Sequence, residues 1–223
     1  MTLDRPVCTF LRMVESKSTG SVRERLLRAA DELFYEEGVH IVGIDRVLAR
    51  AGVAKASLYG TFGSKDELVR AYLEGRGLRI QERIAKRIAG HEGPRDRILS
   101  VFDQLSERVA DGSFRGCAFI NACAEGAPGA TPAREVAAAH RAWRCDLFAK
   151  LARELGVPDP VETGRELSLL YDGALVASSM DSDSGAPATA RKLAESLLDT
   201  RVATKAVARS SAKRRRSRRP RAT

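Results

Sequence analysis

Apolar residues recur along 22–89 at the three- and four-residue spacing of helices that bury one side. Val22, Leu26, Ala29, Ala30, Leu33 and Phe34 form the first such stripe, and Gly38 stops it. It opens at Ser21 and Glu24, a capping-box pair in which each side chain satisfies a backbone donor left over in the first helical turn. Ile44, Val47, Leu48 and Ala51 predict a short second helix ended by Gly52, and a third fits 55–62. A fourth is expected to open at a second capping box, Ser64 with Glu67, and to run through Leu68, Tyr72, Leu78 and Ile84 to residue 89.

Further along, longer and looser helical patterns fall at 95–110, 115–125, 132–155, 161–181 and 187–203. The breaks between them hold Gly112, Gly126, Gly156, Pro160 and Pro187. No stretch alternates with period two between turn residues, so no sheet is expected. The pattern predicts an all-α chain of about nine helices, three short ones first.

Composition agrees, with aromatic residues at only 5% of 223. Charge changes the picture in one place. The formal net charge is +9, from 38 basic and 29 acidic residues, but ten of the basic ones lie in 201–223, which has no acidic residue. Residues 1–200 therefore carry 28 basic against 29 acidic groups. The tail, which after Val207 has nothing apolar larger than alanine, reads as disordered from 204 onward. It is either a solvated extension or an accessory arm that grips phosphates without reading bases. Residues 1–20, ending in a polar run, read as a disordered N-terminal arm.

The first nine residues lack the apolar run of an export signal, and no stretch has the length and apolarity of a membrane span. A cytoplasmic protein is expected, with Cys8, Cys117, Cys123 and Cys145 as reduced thiols. The cysteine and histidine spacings match no metal or redox motif, and no nucleotide-loop, metalloprotease or serine-hydrolase signature is present. Neither cofactor nor metal is expected, and an enzyme on a helical fold is the least favoured function class.

The segment 43–62, two short helices across a glycine turn, has the form of a helix-turn-helix, in which a supported second helix offers one face to the major groove. At 100° per residue, Leu58 and Phe62 anchor that helix while Ala56 and Gly60 point outward, flanked by Ser57 and Tyr59. Gly60 costs a helix about 1 kcal/mol relative to alanine, and a close approach by DNA accounts for it. Ala56 suits a thymine methyl, and Ser57 or Thr61 a base edge or phosphate. Lys55, Tyr59 and Lys65 suit phosphates, which fix register. The same small residues also suit a plain helical corner that packs closely.

Residues 23–73 resemble the DNA-binding domain of the TetR family of bacterial transcriptional regulators. The resemblance is carried by Ala29, Ala30, Leu33, Phe34, Gly38, Ala51, Gly52, Val53, Ser57, Leu58, Tyr59, Phe62, Ser64, Lys65 and Leu68. It implies a homodimer whose N-terminal helices, 21–73, bind a pseudo-palindromic double-stranded DNA operator. Residues 74–203 would then form a helical domain for effector binding and dimerisation, through its last two helices. Such proteins usually repress transcription until a small molecule binds, which places this one in the cytoplasm at the nucleoid. Gly43, Ala54, Lys55, Ala56, Ser57, Tyr59, Gly60, Thr61 and Lys65 are the DNA-contact candidates. Many members carry Thr where this chain has Gly43, and His and Tyr where it has Gly60 and Thr61.

The segment 115–125 resembles one shared by a subset of the same family. Phe119, Asn121 and Cys123 on it, with Phe102, Trp143, Phe148 and Tyr171, are candidates for a ligand pocket, or are plain core. The alternative function is a non-specific nucleic-acid binder driven by the basic tail.

Overall fold

A computed structural model describes residues 20–125, 129, 131–181 and 185–217, with side chains as far as Ala203. The expectation of a disordered arm over 1–20 falls, except for Gly20, outside the described residues. Nine helices are present among them, and no strand. They are α1 (Val22–Glu37), α2 (Ile44–Ala51), α3 (Lys55–Phe62), α4 (Lys65–Ala89), α5 (Pro94–Ala110), α6 (Ala118–Glu125), α7 (Pro132–Leu155), α8 (Pro160–Met180) and α9 (Ala186–Ser217).

The Ser21 capping box closes α1 in both directions: Ser21 N–H donates to Glu24 Oε2 at 2.8 Å and Glu24 N–H to Ser21 Oγ at 3.2 Å. At α4 only half of the expected box forms. Ser64 Oγ accepts from Glu67 N–H at 3.1 Å, while the Glu67 carboxylate turns to Arg70 at 3.2 Å instead of returning to the cap. Helix α6 begins at Ala118 rather than at 115. Gly116 holds φ 85 there, and the Arg115 carbonyl is taken by Asn121 Nδ2 at 2.9 Å, so the helix cannot start earlier.

At the other end α9 continues to Ser217, where disorder was expected from 204. Alanine, lysine and arginine, which dominate this stretch, are among the better helix formers. Residues 218–223 lie outside the described residues.

Two buried clusters organise the chain. The first joins α1–α4 around Leu26, Phe34, Val47, Leu58, Leu68 and Tyr72, and takes in Phe119 and Ala122 of α6. The second joins the rear of α4 to α5, α7, α8 and α9 around Ile84, Phe102, Phe148, Leu167 and Leu198. Ile80 of α4 packs against both clusters. Helix α4 therefore runs through both clusters.

Candidate functional site

Helices α2 and α3 turn on Gly52, whose φ 62 and ψ 44 are left-handed, a conformation in which a side chain is strained. Arg25 of α1 locks the turn from below. Its Nε and Nη2 donate to Ala51 O at 3.0 and 2.7 Å, and Nη2 also to Gly52 O, placing a cation at the negative end of α2. Arg46 grips Glu37 with two bonds of 2.6 and 2.8 Å, and Arg50 grips Glu32 at 2.6 Å. Two arginines of the motif are thus engaged with α1 rather than offered to a phosphate.

Helix α3 has one fully buried residue, Leu58, and leaves Ala54, Lys55, Ala56, Tyr59, Gly60 and Thr61 exposed. Ser57 is half-buried. A Cβ built on Gly60 would meet no atom within 4 Å, and the same holds for Gly43. Internal packing therefore does not account for either glycine. Thr61 Oγ1 donates to Ser57 O at 2.6 Å, which leaves its lone pairs outward. Lys55 makes only a long 3.8 Å pair with Asp45, an exposed contact of little worth. Gly43 caps α2 without a side-chain bond, and the Arg46 amide turns back to Gly43 O at 3.2 Å.

Lys65 is half-buried. Its ammonium lies 6.0 Å from the Phe34 ring centroid, and burial lowers its pKa against the opposing pull of Asp66 and Glu125. It sits at the joint between α1, α4 and α6, near the Phe34 ring and Glu125. There Glu125 accepts a bond from His40 N–H at 3.1 Å.

The pocket candidates separate into two sets. Phe102 and Phe148 stack at 5.8 Å inside the second cluster, fully buried, and are not part of the wall of the cavity described next. Asn121 supports the loop before α6, and Trp143 stacks on His140 at 5.7 Å. Phe119 and Tyr171 do face a cavity, of about 220 Å³, enclosed by α1, α4, α5, α6, α7 and α8. Cys123 lines an adjoining, more open groove of about 600 Å³ that shares Cys117, Phe119, His140 and Arg144 with it. Burial raises the Cys123 pKa, which keeps the thiol protonated. No group of three or more metal-ligating side chains occurs among the described residues.

Sequence reasoning missed what lines the inner cavity: Arg76, Arg79, Arg83, Arg108 and Arg144, with His140. Arg76 lies flat on the Tyr35 ring at 3.6 Å and donates to Asp31 Oδ1 at 2.8 Å, beside Arg79 at 2.6 Å. Arg144, only 4% exposed, pairs with Asp172, donates to Ser168 Oγ at 3.1 Å and covers Tyr171 at 4.7 Å. Their signal was present in outline: His140, Arg144, Phe148 and Leu151 fall on one face of α7, which puts a charge in an apolar stripe.

Residues 26–72 match the family described as bacterial regulatory proteins, tetR family. The chain is similar to the HTH-type transcriptional repressor NemR of Escherichia coli K12, 32% identical over 105 residues, 46% of this chain and 53% of that protein. It is similar to the HTH-type transcriptional activator FasR of Mycolicibacterium smegmatis, 48% identical over 52 residues, 23% of this chain and 24% of that one. The chain thus spans about half the length, or less, of these curated relatives. The crystal structure of SCO4454, a TetR-family transcriptional regulator from Streptomyces coelicolor, has TM-score 0.75 and 35% identity, over 81% of this chain and 95% of that one. A putative TetR-type regulator, sav143 from Streptomyces avermitilis, has TM-score 0.73 and 34% identity, over 82% and 98%.

Proposed function

The chain belongs to the TetR family of transcriptional regulators, and from that premise we propose that it is a homodimeric repressor, released from its DNA operator by a small molecule. It acts in the cytoplasm at the nucleoid. The observation that carries the reading is the outward face of α3, where Ala56 and Gly60 leave the helix backbone open beside exposed Tyr59 and Lys55. Such a face lets a major-groove edge approach the backbone, with Tyr59, Lys55 and the N-terminus of α2 at Gly43 meeting phosphates. Residues 1–70 hold 11 basic and 10 acidic groups, so this grip depends on arrangement rather than on bulk charge.

Gly60→Ala tests it. The variant should fold at least as stably as the parent, by up to about 1 kcal/mol, since alanine is the better helix former. Operator affinity, read by fluorescence anisotropy on a footprinted inverted repeat, should fall about tenfold from the extra Cβ at the groove. Unchanged affinity would remove α3 from the DNA interface.

The dimer face rests on α8 and α9. Leu169 is 65% exposed, and it lines a shallow apolar groove with Leu170, Ala177, Ala186 and Leu193. Val176 and Met180 continue the apolar exposure along α8. A second copy related by a two-fold axis would bury the same patch on both partners, and would space two α3 helices for successive turns of DNA. Leu169→Glu with Leu193→Glu should convert the dimer to monomer in sedimentation and abolish specific binding. A wild-type chain that sediments as monomer at micromolar concentration would refute this arrangement.

The effector would occupy the inner cavity and the groove beside it. To release DNA it must bind one arrangement of the body better than the other, with α4 as the connecting element.

A further inference from the structure

The geometry points to a site for a small organic anion: a carboxylate or phosphate held in the inner cavity by Arg83 and Arg108, with its apolar body in the groove beside Phe119. This deepens the effector reading and rests on it for its regulatory consequence, though not for binding itself.

The charge balance is the first ground. Five arginines converge on the cavity, and the carboxylates that answer them are Asp31, shared by Arg76 and Arg79, and Asp172, which pairs with Arg144. Arg83 and Arg108 make no ion pair among the described residues, and Arg108 rests on the Phe114 ring at 5.3 Å. Partial burial lowers the Arg83 pKa, and the Arg108, Arg79 and Arg76 charges lower it further. Guanidinium stays protonated regardless, so these like charges repel each other; solvent screens part of that at the exposed Arg83, and a bound counter-charge relieves the rest. A planar carboxylate or a phosphate meets guanidinium in paired bonds. A cation would be repelled from the same space.

An independent ground is His140. It is 8% exposed, and its Nδ1 is buried without a hydrogen-bond partner. The ring is stacked on Phe119 at 4.2 Å and faces the same cavity. Burial and then the Arg144 charge depress its pKa to about 4, against a weaker opposing pull from Asp172. The Nδ1 lies against Gly77 of α4, 3.6 Å from where a Cβ would stand, so a bound molecule satisfies it only with a small turn of the ring. An anion beside it also favours its protonation.

Size and polarity complete the description. The inner cavity, about 220 Å³, has room for a charged head and a small ring, while the adjoining groove is walled by Ile120, Ala137 and Ala138. The head reaches the DNA-binding unit through Asp31. Arg76 and Arg79 hold that α1 carboxylate, so an anion that draws either arginine inward loosens its hold on α1.

The experiment uses matched aromatic probes of one shape: benzoate, phenyl phosphate, neutral benzamide and cationic benzamidine. Each is titrated calorimetrically into the full-length protein at constant ionic strength. Benzoate, phenyl phosphate or both should bind, and whichever binds more tightly identifies the head group; benzamide and benzamidine should bind at least about tenfold more weakly. Arg83→Met and Arg108→Met should each weaken anion binding by about 10- to 100-fold, while Arg108→Lys retains part of it. Because each substitution removes a repelling charge, the folded fraction by circular dichroism should not fall. Anion binding should also raise the His140 pKa, followed by NMR, by about one unit or more.

Equal binding of benzamide, failure of both anions to bind at millimolar concentration, or full affinity in both Met variants would overturn the assignment. The two readings fail separately. Binding of anion without change in operator affinity would keep the site and sink the effector role. Release of operator by benzamidine or benzamide alone would do the reverse.

Discussion

Gly164→Ala should lower stability by about 2 to 3 kcal/mol, a drop of about 5 to 10 °C in Tm for a chain of this size. Gly164 is buried where α8 crosses α7, and a Cβ there would lie 2.7 Å from Cys145 O, 2.8 Å from Ala149 N and 2.9 Å from Ala149 Cβ. The first two are backbone atoms, so no rotamer change relieves the contact and the two helices must separate. Alanine's advantage of about 1 kcal/mol within a helix offsets only part of that. Gly75→Ala is the control, since its Cβ would meet nothing nearer than Arg79 Nη1 at 3.6 Å. It should be neutral or slightly stabilising. Thermal melts at matched protein concentration decide the matter, and equal Tm for both variants would mean that the crossing is not close-packed.

Asp172→Ala should cost more, about 3 kcal/mol or above, because removing one partner leaves the other charge buried and unanswered. Arg144 keeps Ser168 and the Tyr171 face but loses its carboxylate, and Arg141, held to Asp172 at 3.0 Å, is released as well. Asp172 itself is partly exposed, which holds the cost toward the lower end of what buried pairs show. Restoring neutrality with Arg144→Met in the same chain should recover most of the loss, as apolar replacements of buried pairs commonly do. Denaturant titration of the two single variants and the double closes the cycle. A double variant no more stable than Asp172→Ala would show that Arg144 contributes through packing rather than through charge.

These two sites belong to the half of the protein that the sequence described least well. Helix positions were legible almost throughout, because periodicity, capping pairs and glycine or proline breaks are local signals. The exceptions have local causes too: Gly116 delays α6, Glu67 prefers Arg70 to its cap, and a helix-forming composition carries α9 past 203. The outward residues of α3 were legible for the same reason, since one buried Leu58 fixes which way an eight-residue helix faces. The half-buried setting of Lys65 was not, because the Phe34 ring beside it lies on another helix.

In the body, aromatic residues looked like pocket wall, yet Phe102 and Phe148 fill the core while arginines line the cavity. Residue type gave the opposite expectation, since charged side chains are ordinarily solvated.

Local pattern along the chain was enough to establish an all-α protein, its helix-turn-helix and the direction in which that motif faces. Each follows from residues within about two helical turns of one another. Packing in three dimensions had to supply the rest, bringing Asp31 of α1, Arg83 of α4, Arg108 of α5, Arg144 of α7 and Tyr171 of α8 around one cavity. Their convergence depends on how five helices cross. Crossing is set by side-chain volume at contacts such as Gly164 against Ala149, which no periodicity along the chain records.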